Sequence, residues 1–278
     1  MDSFMEIVLR RIRQDYTHPA PRWTQKPLPP SKRQWIEEQA HTPSDFDTLD
    51  LRRQSLQHTP IYATCAHGAL IAYLSPEQRD HLPWDLWGRI FRLFSTKPDI
   101  TVYLLAHPSL RQAPPVPSHK PIQPIQPQHI NGGYTYPCRK DTIVIYRAED
   151  ATRVLLHELQ HGACLDPEAD TDTIEAHAEA WAELLYTALL VKGHPTNFHY
   201  QWAKQRAWSA QQNERVRPHL THEKDFPWRY TLGKTAVLNR WFPTTDRIPP
   251  PSDSLRLTLP PTTQQKRAHG ISERSTML

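Results

Sequence analysis

The chain has 278 residues, enough for one large domain or two small ones, and its net charge of +4 is too mild to identify a nucleic-acid binder. It contains no apolar run of roughly 18 residues or more, so no membrane span is expected. The charged N-terminus has no long apolar stretch of the kind that a secretory signal needs, and we therefore expect an intracellular protein.

Proline is frequent, with 28 residues, whereas glycine is scarce, with 8. The prolines cluster, which indicates linkers and tails around a compact centre. We expect a Pro-rich, partly helical N-terminal extension over residues 1–60 and a compact domain over residues 61–242. A Pro-, Thr- and Ser-rich tail over residues 243–278 is expected to be disordered.

The N-terminal half alternates helix patterns with strand patterns. A short amphipathic helix is predicted over residues 2–14, and Ser31 is a plausible N-cap for a second helix that runs to Ala40. Residues 61–74 are apolar and fit either a strand or a buried helix. Residues 76–94 have the apolar spacing of a helix.

Two strands are predicted further along the chain, over residues 100–106 and 142–146, because both runs are rich in β-branched residues. A proline-rich loop over residues 108–127 lies between them, and its PIQPIQP repeat favours a spacer over a recognition segment or a lid. The Asn-Gly-Gly sequence at 131–133 then permits a tight turn.

Residues 157–161 read H-E-x-x-H. Because residues four apart on a helix share one face, His157 and His161 are expected to project together, and two imidazoles so placed can hold one Zn²⁺. Glu158 flanks the metal without ligating it. It can take a proton from a zinc-bound water, which is the general-base role in metal-assisted hydrolysis.

The segment around this motif has the apolar pattern of a buried helix. Between residues 149 and 164, apolar side chains cover more than half of the helical wheel, and only Arg153 and Gln160 are expected to face solvent. Gly162 suits a helix end or the close approach of another backbone. The alternative is that both histidines are polar residues of a partly buried helix, satisfied by hydrogen bonds.

A second long helix is predicted over residues 173–191, and Glu175, Glu179, Glu183 and Tyr186 form one stripe along it. A hydrolytic zinc site needs three protein ligands and one open position, and a carboxylate on a second helix is a common third ligand. We predict Glu179 as that ligand, with Glu175 or Glu183 fixing the tautomer of a ligating histidine. Glu175 as the ligand, with Glu179 behind it, is the alternative.

The three cysteines follow no C-x-x-C spacing, and an odd number without a framework suits a reducing compartment. Cys164, close to the motif, is expected to be a packed thiol. The acidic connector at 166–172 is expected to be solvated, and a further helix is predicted over residues 197–215. The candidates for stabilising an oxyanion by hydrogen bonding are Tyr186, His199, His222 and Tyr230.

The H-E-L-Q-H motif and the glutamate-bearing helix after it resemble the zincin metallopeptidases, in particular the gluzincin branch, over about residues 99–191. The resemblance implies an α+β fold in which a small mixed sheet packs on the HExxH helix and the glutamate helix follows. It also implies a zinc metallopeptidase that hydrolyses peptide bonds, with His157, His161 and Glu179 as Zn²⁺ ligands and Glu158 as the base.

The segments INGGYTY and TIVIYR are also loosely similar to uncharacterised metallopeptidase-like proteins of large DNA viruses and protists. In the zincin architecture an edge strand lies beside the metal helix, and we hypothesise that residues 129–136 or 142–147 pair with a peptide or protein substrate. An ordinary buried hairpin is the alternative. The alternative function is a catalytically inactive zincin-like protein that carries structural zinc and acts as an interaction module.

Overall fold

The computed structural model describes residues 3–115, 122–222, 224–242 and 255–277. Part of the predicted spacer, residues 116–121, lies outside these ranges, as do residues 243–254 of the predicted tail.

One mixed sheet of six strands runs through the described part of the chain. Its strands are β1 (Thr24–Gln25), β2 (Pro60–Cys65), β3 (Gly68–Tyr73), β4 (Ile100–His107), β5 (Gly133–Tyr134) and β6 (Ile143–Arg147). In space they follow the order β1-β2-β3-β4-β6-β5. The pairs β3–β4 and β4–β6 are parallel, and the remaining pairs are antiparallel. The predicted α+β class is confirmed.

Helices pack around this sheet. They are α1 (Ser3–Tyr16), α2 (Pro30–His41), α3 (Leu51–Ser55), α4 (Pro76–Arg79), α5 (Trp84–Phe94), α6 (Pro127–Ile130), α7 (Ala151–Gly162), α8 (Thr171–Leu190), α9 (Pro195–Val216), α10 (Lys234–Trp241) and α11 (Thr263–Ala268). None of the helices in the described ranges combines the length and the apolar character that a bilayer crossing requires.

Most of the predicted elements are present, with three differences, and β1, α3, α6, α10 and α11 are additional. Residues 61–74 form two strands, β2 and β3, joined by a tight turn. The helix predicted over residues 76–94 is divided into α4 and α5, and Pro83 immediately precedes α5, where a proline ring suits a helix start but not a helix interior. Ser31 lies inside α2, whose N-cap is Pro29.

The parallel strands are buried on both faces, and alternate residues supply two separate cores. Val102, Leu104 and Ile145 point to the side that also contains α5, α7 and α8. Tyr103 and Val144 point to the opposite side, where α2 and α3 cover them. The metal-motif helix α7 therefore lies against one face of the sheet, directly after β6.

Both ends of the chain join the same structure. Met5, Leu9 and Ile12 of α1 are buried in the core that contains α7 and α8. The boundary predicted at residue 60 therefore does not divide the chain into parts with separate cores. Strand β1 also comes from this N-terminal region and pairs with β2.

The disorder predicted for the C-terminal tail is wrong for residues 255–277. Leu255, Leu257 and Met277 are almost completely buried. The buried ammonium of Lys234 donates to the Leu257 carbonyl oxygen at 3.1 Å. A polar segment tends to be disordered when its polar groups have no partners in the folded protein. Residues 255–277 have such partners, which are distant in the sequence.

Candidate metal centre

Helix α7 is enclosed by the sheet on one side and by α8 on the other. All of its residues are buried, including Arg153 and Gln160, for which the sequence predicted solvent exposure. That prediction was wrong because a helix in the middle of a protein has no solvated face. Arg153 instead forms a buried ion pair with Glu179 of α8.

The start of α7 is held by the C-terminal segment. The backbone N–H of Asp150, a residue with φ of 60°, donates to the Thr276 carbonyl oxygen at 3.1 Å. The N–H and the hydroxyl of Thr152 both donate to the Met277 carbonyl oxygen, at 2.8 and 2.6 Å. These bonds satisfy N–H groups that the first turn of a helix leaves without partners.

Three potential ligands converge where α7 meets α8. The Nε2 atoms of His157 and His161 are 3.1 Å apart. Oε2 of Glu175 lies 3.4 Å from Nε2 of His157, and its other oxygen, Oε1, lies 3.8 Å from Nε2 of His161. One ligand atom from each residue can be chosen so that all three lie within 4.8 Å of one another.

These separations match what a zinc ion needs. Ligand atoms on a tetrahedral Zn²⁺ with bonds of about 2 Å lie roughly 3.3 Å apart. Two nitrogens and one carboxylate form a common donor set for hydrolytic zinc, with a fourth position left for water or substrate. The residues therefore fit the metal that the motif predicts.

The predicted ligand Glu179 lies elsewhere. Its Oε1 is 3.0 Å from Nδ1 of His157, the nitrogen on the other side of the ring, although the ring N–H is not aligned for a hydrogen bond. The geometry therefore favours the alternative, Glu175, over the predicted Glu179 as a third ligand. Glu179 stands behind His157 and also pairs with Arg153, a position from which a carboxylate can orient a ligating imidazole.

His161 has a comparable partner. Its Nδ1 is 2.8 Å from Oδ1 of Asp166, in the connector between α7 and α8. A carboxylate on the far nitrogen fixes the tautomer, so that the other nitrogen is free to bind a metal. The sequence reading treated this acidic connector as solvated and missed Asp166. Its position five residues after the second histidine is the one signal that could have indicated it.

The protonation states agree with these roles. Burial lowers the pKa of His157 to about 4, so the ring is neutral, as a metal ligand must be. Burial, and then the charge of Glu175, raises the pKa of Glu158 well above its usual value. For Glu175 itself, burial is outweighed by the contacts with the two histidines, and its pKa is lowered. One carboxyl thus suits a ligand and the other a proton acceptor.

The two histidines and the carboxylates around them all line one cavity of about 340 Å³. Glu158 lines it together with the three potential ligands, and residues 131–135, which include β5, form another wall. No turn forms at the Asn-Gly-Gly sequence, although the sequence predicts a tight turn there. Of the four candidates for an oxyanion donor, Tyr230 lines this cavity, whereas Tyr186, His199 and His222 do not.

A disulfide joins Cys138 to Cys164, with Cα atoms 4.6 Å apart, so the packed thiol predicted for Cys164 is wrong. The bridge connects the loop after β5 to the end of α7. The backbone N–H groups of both cysteines donate to the carbonyl oxygen of His161, at 2.9 and 3.1 Å. Spacing along the sequence could not reveal the pair because Cys138 comes from a separate loop.

No protein-family model, no curated protein and no solved structure matches the chain. No relative therefore supplies a role for His157, His161 or Glu175. The case for a metal is the geometry of these side chains.

Proposed function

We propose that this protein is a zinc-dependent peptidase whose metal is held by His157, His161 and Glu175. The observation that supports this most is the convergence of the two histidine Nε2 atoms, 3.1 Å apart on the buried H-E-x-x-H helix, with the carboxylate of Glu175 on α8. Placing two imidazoles and a carboxylate this close together inside a protein is favourable when a cation binds to their lone pairs.

Bound Zn²⁺ would polarise the scissile carbonyl and lower the pKa of a water molecule. Glu158 lies in the same cavity, buried and adjacent to the ligands. We propose that its carboxylate accepts a proton from this water molecule and then passes the proton to the leaving amine. The environment of this residue raises its pKa, and that favours holding the proton between these two steps.

Tyr230 is the residue that we assign to the developing oxyanion. Burial, and then the negative charge of Glu175, raises the pKa of its phenol well above the usual value. The hydroxyl therefore stays protonated near neutral pH and can donate a hydrogen bond. Replacing Tyr230 with Phe should lower kcat more than it raises KM, because the bond is needed mainly in the transition state.

We propose that the substrate binds along the edge of the sheet at β5. This strand is outermost in the sheet, pairs with β6, and borders the cavity beside Glu158. An extended peptide can add to such an edge by main-chain hydrogen bonds. Deleting Gly132 and Gly133 while zinc content stays normal should weaken peptide binding, and unchanged affinity would remove this assignment.

A zincin-like architecture is part of the proposal. The supporting features are a mixed sheet with an antiparallel edge strand, the motif helix α7 packed on its face, and a glutamate on the next helix, α8. Helix α9 and the buried C-terminal segment are not among these supporting features.

The decisive experiment combines metal analysis with one base variant. The purified protein should contain one zinc per chain and cleave a peptide library. Glu158→Gln should keep the zinc and lose at least about 100-fold in kcat/KM. Glu168→Gln, which removes an exposed carboxylate outside the cavity, is the matched control and should change neither quantity. If Glu158→Gln cleaves peptides as fast as wild type, the base assignment fails.

The complete burial of α7 favours a second candidate, an inactive zincin-like module with structural zinc. That candidate predicts stoichiometric zinc and unfolding on chelation, without hydrolysis of any peptide in the library. Hydrolysis that depends on Glu158 would exclude it.

A further inference from the structure

Two arginines line the end of the cavity that is nearest to the start of α7. Arg153 is on α7, one turn before His157, and Arg111 follows strand β4. Their side chains are 2% and 1% exposed. Guanidinium groups are rarely buried beside a cavity unless they have acceptors, so the partners of each N–H group indicate what the cavity can bind.

Arg111 uses part of its hydrogen-bonding capacity within the protein. Its Nε donates to the Ile130 carbonyl oxygen at 2.6 Å, and its Nη1 donates to the carbonyl oxygen of Glu149 at 2.8 Å and to the carboxylate of that residue at 3.4 Å. Its Nη2 lies against the backbone of Gly132, another residue of the cavity wall. Among the described residues, Nη2 has no acceptor.

Arg153 is also incompletely satisfied. Its Nη2 forms the ion pair with Glu179, whereas its buried Nε has no acceptor in the part of the chain that the structure describes. The charges of Glu183 and Asp150 act on this guanidinium more strongly than the positive charge of Arg111 does. Because the Nε of Arg153 has no accessible surface, it cannot reach an occupant of the cavity. The proposal therefore rests on Nη2 of Arg111, and a positively charged donor favours an anionic acceptor.

We propose that this end of the cavity binds a carboxylate of the substrate, from either an acidic side chain or a free C-terminus near the scissile bond. The inference rests on the proposed peptidase function, of which it names the substrate class. A carboxylate oxygen accepts a charge-assisted hydrogen bond from a guanidinium N–H that is stronger than the bond of a neutral amide oxygen. A site built for such bonds rejects the neutral analogue because its buried donors are then left unpaired.

The test measures binding rather than turnover. Zinc-loaded Glu158→Gln protein is titrated with short peptides in pairs that differ only by Glu or Gln at one position, or only by a C-terminal acid or amide. The acid should bind about 10- to 100-fold more tightly than its neutral partner in one of the two series. The series that shows the preference identifies the source of the carboxylate. Equal affinity in every pair overturns the proposal.

Arg111→Lys should lower the preference for the acid, because one ammonium group cannot bond the carbonyl oxygens of Ile130 and Glu149 and also reach an anion in the cavity. Arg147→Lys is the matched control. Arg147 is equally buried, but its donors are spent on backbone carbonyl oxygens and it does not line the cavity. The control should keep the ratio of acid to neutral affinity, and an equal loss in both variants would contradict the assignment.

Two further results remain interpretable. If Arg111→Lys does not fold, the paired peptides on the Glu158→Gln protein still decide the question. A preference for the acid without hydrolysis by wild type would support the carboxylate site and reject the peptidase proposal. Hydrolysis of acidic and neutral peptides with equal KM would reject the carboxylate site alone.

Discussion

Gly133 of the edge strand is in direct contact with Glu158 of the metal-motif helix. A Cβ atom at Gly133 would lie 3.3 Å from Oε1 of Glu158 and 2.6 Å from Cγ1 of Val154. The absence of a side chain therefore allows β5 to lie directly on α7. The proposed base is thus adjacent to the strand that we assign to the substrate.

Gly133→Ala should separate these two elements. The new methyl group would overlap Val154 and the carbonyl oxygen of Val144, so the strand must move, at a cost of about 1–3 kcal/mol in stability. We expect kcat/KM to fall at least about tenfold while zinc content stays at wild-type level, because the ligands lie on α7 and α8.

Gly162→Ala is the control for this experiment. A Cβ at Gly162 would make contacts of 3.4 Å or more, which are ordinary van der Waals distances, and alanine favours a helix. Peptidase assays and zinc analysis of both variants check the prediction. Normal turnover by Gly133→Ala would show that the close approach of β5 is not required.

The histidine pair can be predicted from sequence because it depends only on the period of one helix. The third ligand depends on how two helices pack. Glu175 and Glu179 are one turn apart on α8, and the position of α8 along α7 decides which of them meets the Nε2 atoms. That position results from side-chain packing between the helices, which the helical period does not specify.

The burial of Arg153 and the order of residues 255–277 could not be predicted for a related reason. A helical wheel shows which residues share a face, but it does not show how many faces a protein covers. Here the sheet and α8 enclose α7, and the C-terminal segment holds its start. Arg256 of that segment forms a buried ion pair with Asp150, a contact between residues far apart in sequence.

The identity of the third ligand can be tested by comparing Glu175→Gln with Glu179→Gln. We expect Glu179→Gln to weaken zinc binding about 10- to 100-fold, the usual effect of losing a residue that orients a ligand. Glu175→Gln should weaken it further, because a charged donor is removed from the metal itself. Competition with a chelator gives both affinities, and circular dichroism checks that each variant is folded. A larger loss for Glu179→Gln would restore the ligand that the sequence analysis chose.

The disulfide should stabilise the end of α7. Cys138 and Cys164 are 26 residues apart in sequence, so loop-closure entropy gives about 3.5 kcal/mol for the bridge. Cys138→Ser should therefore lower the free energy of unfolding by about that amount in urea titrations. Cys65→Ser, at the one free cysteine, is the control and should have a small effect. If a reductant leaves the urea midpoint of wild type unchanged, the bridge does not contribute to stability.

The buried C-terminal segment makes a further measurable contribution. Leu257 is 3% exposed and lines the cavity of the candidate metal centre, so Leu257→Ala should lower the free energy of unfolding by about 2–5 kcal/mol. Leu165→Ala removes the same atoms from a side chain that is 58% exposed and should cost no more than about 0.5 kcal/mol. Equal, small effects in urea titrations of both variants would mean that the segment is disordered in solution.

His269 should make stability depend on pH. Burial lowers the pKa of this ring from 6.5 to about 4, and the ring contacts the Tyr16 hydroxyl and the Leu190 carbonyl oxygen. Because the folded pKa is the lower one, the unfolded chain binds more protons between these values. The contribution of His269 is therefore complete above about pH 6.5 and is lost as the pH falls towards 4. Since the ring keeps some exposure, we expect a loss of about 1–2 kcal/mol rather than the full shift.

The comparison of wild type with His269→Gln isolates this contribution from those of the other titrating groups. Urea unfolding at about pH 7.5 and about pH 5 gives the loss of stability for each protein. The loss should be smaller in His269→Gln by about 1–2 kcal/mol, because glutamine takes up no proton in this range. An identical loss in the two proteins would mean that the ring is already protonated in the folded state or is exposed to solvent, and either result contradicts its burial against α1 and the end of α8.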